Sequence, residues 1–86
     1  MPTPVVALNH AVAVAMADGP EQGLGLIDEI ARDDSLNNYY LLYAARADLL
    51  RRLGRTDEAA REYQRALGLT SNQVERSFLT QRLSVL

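Results

Sequence analysis

The sequence contains no cysteine, no lysine and no tryptophan, and aromatic residues make up only 6% of its 86 positions. Without thiols it can build neither a disulfide framework nor a thiolate metal site. Without lysine, its nine positive charges are all arginines, and eleven acidic residues bring the net charge to −2. A non-specific nucleic-acid surface needs a basic field, so no direct contact with nucleic acid is expected. No apolar run reaches the ~18 residues of a membrane span, and no basic segment leads into an apolar core as in a signal peptide. The expectation is a cytoplasmic protein without membrane contact. A chain of 86 residues makes one domain, 1–86, with a single modest core. The opening "MPTP" reads as a fragment boundary, which would make the chain a piece of a longer one.

What is present favours helices. Alanine and leucine supply most of the 48% hydrophobic content, with arginine and glutamate beside them. All four are good helix formers, and β-branched residues are sparse. Thr3 and Pro4 read as an N-cap and a first helical residue. Residues 5–17 then carry apolar side chains on nearly every side, the mark of a helix covered on more than one face. Gly19 and Pro20 end that helix and begin the next, 20–31, with Leu24, Ile27 and Ile30 on one face. "RDDSLNN" is a polar connection, followed by a third helix over 38–53 that stops at Gly54. Thr56 is placed to cap a fourth, 57–68, whose Asp57 and Glu58 suit the positive end of its dipole. Asn72 and Glu75 have capping-box spacing at the start of a closing helix, about 72–84, with Val74, Phe78, Leu79 and Leu83 as its apolar stripe. No strand pattern occurs. The fold class is all-α with five helices.

Sliding the chain by 36 residues sets Ala11 on Ala47, Val14 on Leu50, Gly23 on Ala59 and Ile27 on Tyr63. Small residues meet small ones and large meet large. A helical hairpin has been used twice, and its small residues mark where the two helices cross too closely for a larger side chain. Tyr63 and Leu50 fill the space beside that crossing.

This pattern resembles the tetratricopeptide (TPR) repeat. Tyr43, Ala47, Leu50, Gly54, Ala59, Tyr63 and Ala66 match the family's structural positions in a clear repeat at about 39–72. A degenerate repeat covers about 4–36. Ser71 replaces the usual proline, Thr56 the usual turn aromatic and Arg46 a position that is usually leucine. The resemblance implies antiparallel hairpins, two repeats plus a closing helix, with the first helix of each lining an inner, concave surface. That surface would present Leu8, Asn9, Val12 and Met16 beside Leu41, Ala45, Asp48 and Arg52 to a partner.

A narrower resemblance covers nearly the whole chain. "TPVVALNHAVAVAMADGPEQGLGLID", "YYLLYAARADLLRRLGRTDEAAREYQRAL" and "NQVERSFLTQRL" look like the C-terminal extension of one group of bacterial extracytoplasmic-function sigma factors. There, a TPR-like domain follows the promoter-recognising domains. The resemblance implies a non-enzymatic regulatory module that docks on the sigma factor's N-terminal domains or on RNA polymerase. The alternative is a free-standing TPR adaptor that takes a peptide or protein tail in its groove.

Catalytic, metal and cofactor readings find no footing. His10 has no second histidine or cysteine near it, and it falls on Arg46 in the repeat, so it is expected to be a partly buried polar residue. No nucleophile elbow accompanies it. A calcium loop begun at Asp33 would put Asn38 where glycine is wanted and Ala44 where a bidentate glutamate is wanted. Gly23 and Gly25 lie within a helix, without the flanks of a phosphate loop. Arg51, Arg52 and Arg55 read as a solvated helix end near Asp48, Asp57 and Glu58. Arg46, at a position that is normally buried, requires a carboxylate or carbonyl partner. Val5, Val6, Leu8, Val12, Val14 and Met16 are more apolar surface than one fragment can cover. Part of the first helix should therefore be an exposed patch, and the isolated fragment a candidate homodimer.

Overall fold

The Thr3 hydroxyl accepts a hydrogen bond from the Val6 amide at 3.2 Å and Pro4 takes the first helical position, so the first helix starts as its sequence directs. The computed structural model describes residues 3–86. Met1 and Pro2, and with them the boundary read in the opening tetrapeptide, lie outside the described residues. The helices are α1 (Pro4–Asp18), α2 (Pro20–Arg32), α3 (Tyr40–Arg52), α4 (Thr56–Leu67) and α5 (Gln73–Ser84). Among the described residues there is no strand. The molecule measures 35 × 26 × 19 Å.

Two turns fold the chain back on itself. Gly19 alone joins α1 to α2 at φ 111°, and Gly54 stands between α3 and α4 at φ 76°. Both angles lie in the left-handed region that side chains with a Cβ avoid. The result is two hairpins, α1 on α2 and α3 on α4, joined because α2 also packs on α3; α5 then packs on α4.

The small residues paired by the 36-residue comparison, Ala11 with Ala47 and Gly23 with Ala59, are buried. Ala11, Ala47, Ala59 and Ala66 have no accessible surface. At Gly23 the helices meet backbone to backbone: a Cβ built there would stand 2.4 Å from the Ala15 Cβ and 2.8 Å from the Ala11 carbonyl oxygen. Ile27, Leu42, Leu50, Tyr63 and Leu79 are the largest fully buried side chains, and one continuous core joins both hairpins.

Several local expectations are corrected. The polar connection folds its middle into a 3-10 turn, Asp34–Leu36, in which the Asp33 carboxylate accepts from the Ser35 hydroxyl at 2.8 Å and Leu36 is buried. That turn delays α3, which begins at Tyr40. Thr56 is the first residue of α4 and not its cap; Arg55 is the N-cap residue, and its side chain caps no backbone amide. In α5 only Leu79 of the expected stripe is buried, with Leu83 half-buried, whereas Val74 and Phe78 are exposed. Successive helical residues point about 100° apart, so Val74 and Phe78 form a second stripe beside Leu79 and Leu83, and α5 has a neighbour on one side only.

The capping box at α5 is half formed, and its other half does different work. Asn72 Oδ1 accepts from the Glu75 amide at 3.1 Å. The Glu75 carboxylate does not return to Asn72; it accepts from the Thr70 hydroxyl at 2.6 Å and from the Tyr40 hydroxyl at 2.5 Å, tying α5 to α3. The hydrogen bonds from Thr70 and Tyr40 hold the Glu75 carboxyl below its ordinary value. The bond to Glu75, helped by burial, pushes Tyr40 up to about 12. A raised tyrosine stabilises the fold fully below its unfolded value of 10.0 and loses that contribution as pH rises through about 12. A lowered carboxyl does the opposite, losing its contribution as pH falls through its folded value. Tyr40→Phe is therefore expected to flatten the stability profile at both ends, most clearly between pH 10.0 and about 12. Thermal unfolding across pH checks this; a variant whose profile runs parallel to the parent's would contradict it.

Candidate protein-interaction surface

The eight residues expected to face a partner do not share one environment. Asn9, Met16, Leu41 and Arg52 are exposed; Val12, Ala45 and Asp48 are half-buried. Leu8 is a correction. It is buried, because it continues the Ala11–Ala15 stripe by one turn and that stripe is pressed against Gly23 of α2. Val5 takes its place at the surface: Val5, Asn9, Val12 and Met16 stand at i, i+4, i+7 and i+11 on one side of α1, and Met16 is 75% exposed.

Asp48 is occupied. Its carboxylate accepts from the Tyr63 hydroxyl of α4 and lies 3.9 Å from Arg51 and 4.0 Å from Arg82 of α5. It fastens three helices together, and the Tyr63 pKa is raised, first by burial and then by this bond. Arg82 also lies 5.0 Å above the Phe78 ring, a cation–π arrangement that steadies the exposed side of α5.

Sequence reasoning missed the contribution of α5. Leu41 of α3 and Val74 and Phe78 of α5 rim an apolar recess of about 320 Å³ floored by Ala44 and Leu79. Leu41 is 40% and Phe78 45% exposed. The signal was the i, i+4 pair of Val74 and Phe78, which is offset by one residue from Leu79 and Leu83 and so belongs to a different face.

Arg46 has the partner its position demanded. Its Nε donates to Asp28 Oδ1 of α2 at 2.9 Å, and one terminal nitrogen lies 3.6 Å from Glu62 Oε2 of α4. Glu62 is buried, and that oxygen makes no hydrogen bond among the described residues. The guanidinium thus joins the two hairpins and offsets a buried carboxylate. Arg46→Ala is expected to cost about 1–3 kcal/mol, the range for losing a charge-assisted hydrogen bond, here to Asp28, together with the cation beside the buried Glu62. Arg46→Met, which keeps the packing of the stem, should recover only part of this. Urea denaturation of both variants checks it, and an Arg46→Ala protein as stable as the parent would contradict it.

His10 differs from its expectation. It is exposed on α1, since among the described residues no helix covers the side of α1 that corresponds to the covered side of α3. Arg55 pairs with Glu58 at 2.6 Å at the start of α4, while Arg52 is exposed at the end of α3. Among the described residues no three acidic, histidine or cysteine side chains gather in a metal-binding group, and no helix is long and apolar enough to cross a membrane.

No protein-family model and no solved structure matches the chain. The chain is 37% identical over 82 residues to an uncharacterized protein of Rhizobium meliloti. The match takes in 95% of this chain but 19% of that protein, so the chain spans about a fifth of the relative's length.

Proposed function

We propose that the chain is a TPR-like interaction module, two hairpin repeats and a closing helix, that regulates an attached sigma factor by docking on its promoter-recognising domains or on RNA polymerase. Support for the TPR-like arrangement comes from the close approach at Gly23 and from the full burial of Ala47 and Ala59, which lie 36 residues after Ala11 and Gly23. The observation that carries the functional reading is the run of apolar side chains left at the surface: Val5 and Met16 on α1, Leu41 on α3 and Phe78 on α5. A set of exposed large apolar residues on a rigid helical frame suits a protein partner. Embedding in a longer polypeptide accords with the Rhizobium meliloti protein, which carries the matched segment as a fifth of its length, and this favours the attached module over a free-standing adaptor. Docking would act by population shift, favouring one arrangement of the DNA-reading domains.

The test uses the full-length protein. Met16→Asp, at a site 75% exposed, leaves the core untouched, so circular dichroism and thermal stability should be unchanged while transcription from the cognate promoter changes. A folded Met16→Asp protein and a folded Phe78→Asp protein that both transcribe like the parent would overturn the reading.

A further inference from the structure

The repeat relating the two hairpins shows one side of α3 covered and the matching side of α1 bare. On α3, Arg46 reaches Asp28 of α2, and Leu42 and Leu49 lie one turn to either side of it, both buried. Thirty-six residues earlier, these positions are Val6, His10 and Ala13, and all three are exposed, Val6 to 52%. Next to them, Leu26 and Ile30 of α2 line a groove of about 610 Å³ whose rim carries Glu29 and Asp33.

We propose that this groove docks an amphipathic α-helix of another protein, one with an apolar stripe at i, i+3/i+4 and i+7 spacing flanked by arginine or lysine. The occupant's shape follows from the internal template: what closes the equivalent side of α3 is a helix, α2. Ala13, exposed on α1, is small where buried Leu49 stands on α3. Its charge follows from the rim, where Glu29 and Asp33 flank an apolar floor and attract basic residues. A second copy of this chain, with a net charge of −2, complements that rim poorly. The groove lies on the side of α1 away from Val5, Val12 and Met16, so the inference goes beyond the regulatory reading and does not depend on it.

The probes are two synthetic helical peptides with the same leucine stripe, one flanked by lysines and the other by glutamates. Each is titrated into isotope-labelled protein and followed by NMR. The lysine-flanked peptide is expected to bind about tenfold more tightly at low salt, the preference fading as salt screens the rim. Its shifts should centre on Val6, His10, Ala13 and Leu26. Val6→Asp, an exposed site, should abolish binding with the thermal midpoint unchanged, and Met16→Asp should leave binding intact. Joint Glu29→Lys and Asp33→Lys substitution should invert the preference between the peptides. The proposal is overturned if neither peptide binds, if both bind equally, or if the shifts centre on Met16 and Leu41. Sedimentation showing a dimer that Val6→Asp dissociates would also overturn it, making a second copy the occupant.

Discussion

Gly23→Ala should destabilise the protein, and Gly25→Ala, two residues further along the same helix, should stabilise it. Both glycines lie in the interior of α2, where glycine is about 1 kcal/mol less favourable than alanine. Propensity alone would make both changes beneficial. Space separates them. At Gly25 an added Cβ meets nothing within 4 Å, so the propensity gain of up to about 1 kcal/mol should be realised. At Gly23 the added atom stands 2.4 Å from the Ala15 Cβ and 2.8 Å from the Ala11 carbonyl oxygen. Neither is the end of a flexible side chain that can swing aside. The α1–α2 hairpin must spread, loosening Ile27 and Leu24 in the core beside it, and overpacking of this kind costs about 1–3 kcal/mol. For a domain of this size each kcal/mol moves the thermal midpoint by about 4–8 °C, so the two variants should melt on opposite sides of the parent. A Gly23→Ala protein that melts with or above the parent would mean that the helices do not cross there.

That crossing was legible because a repeat is a comparison the sequence makes with itself. Ala47 and Ala59 are small for a reason visible only when Ala11 and Gly23 fall on them, and all four are buried in the structure. Arg46 was legible in the opposite way, as a charged residue breaking an apolar pattern, and Asp28 and Glu62 supply its partners. What escaped was decided by the presence or absence of neighbours. Leu36 is one apolar residue in a polar stretch, and nothing local says that a 3-10 turn will press it into the core. His10 occupies the place of Arg46 yet is exposed, since the role of that place depends on a covering helix that α3 has and α1 lacks. Val74 and Phe78 belonged to an apolar stripe by composition, but α5 packs with one side only. Asp48 was expected to face a partner because the TPR resemblance puts it on the inner surface with Leu41 and Ala45. The resemblance does not reveal that Tyr63 reaches across from α4 to hold it.

The contact between Tyr63 and Asp48 also gives the largest expected loss of stability from one side chain. Tyr63 is fully buried between the helices of the second hairpin, and its hydroxyl donates to Asp48 while accepting from Arg51 Nε at 3.4 Å. Tyr63→Ala removes a fully buried ring from the second hairpin and leaves a cavity between packed helices. Truncating a buried aromatic costs about 3–5 kcal/mol, comparable to the lower end of the 5–15 kcal/mol that small domains possess, so the variant should be largely unfolded in mild urea. Tyr63→Phe separates the two roles of the side chain. It keeps the ring and loses only the hydroxyl, at about 1 kcal/mol for a hydrogen bond to a charged group that solvent can partly replace. It should also alter the alkaline limb of the stability profile. The raised Tyr63 pKa means that its contribution is complete below the unfolded value of 10.0 and is lost as pH rises through the higher folded value. Tyr63→Phe has no such proton to lose, so its stability should decline less steeply than the parent's above pH 10.0. Urea titrations at neutral and alkaline pH measure both effects. A Tyr63→Ala protein within about 1 kcal/mol of the parent would show that the second hairpin does not depend on this ring.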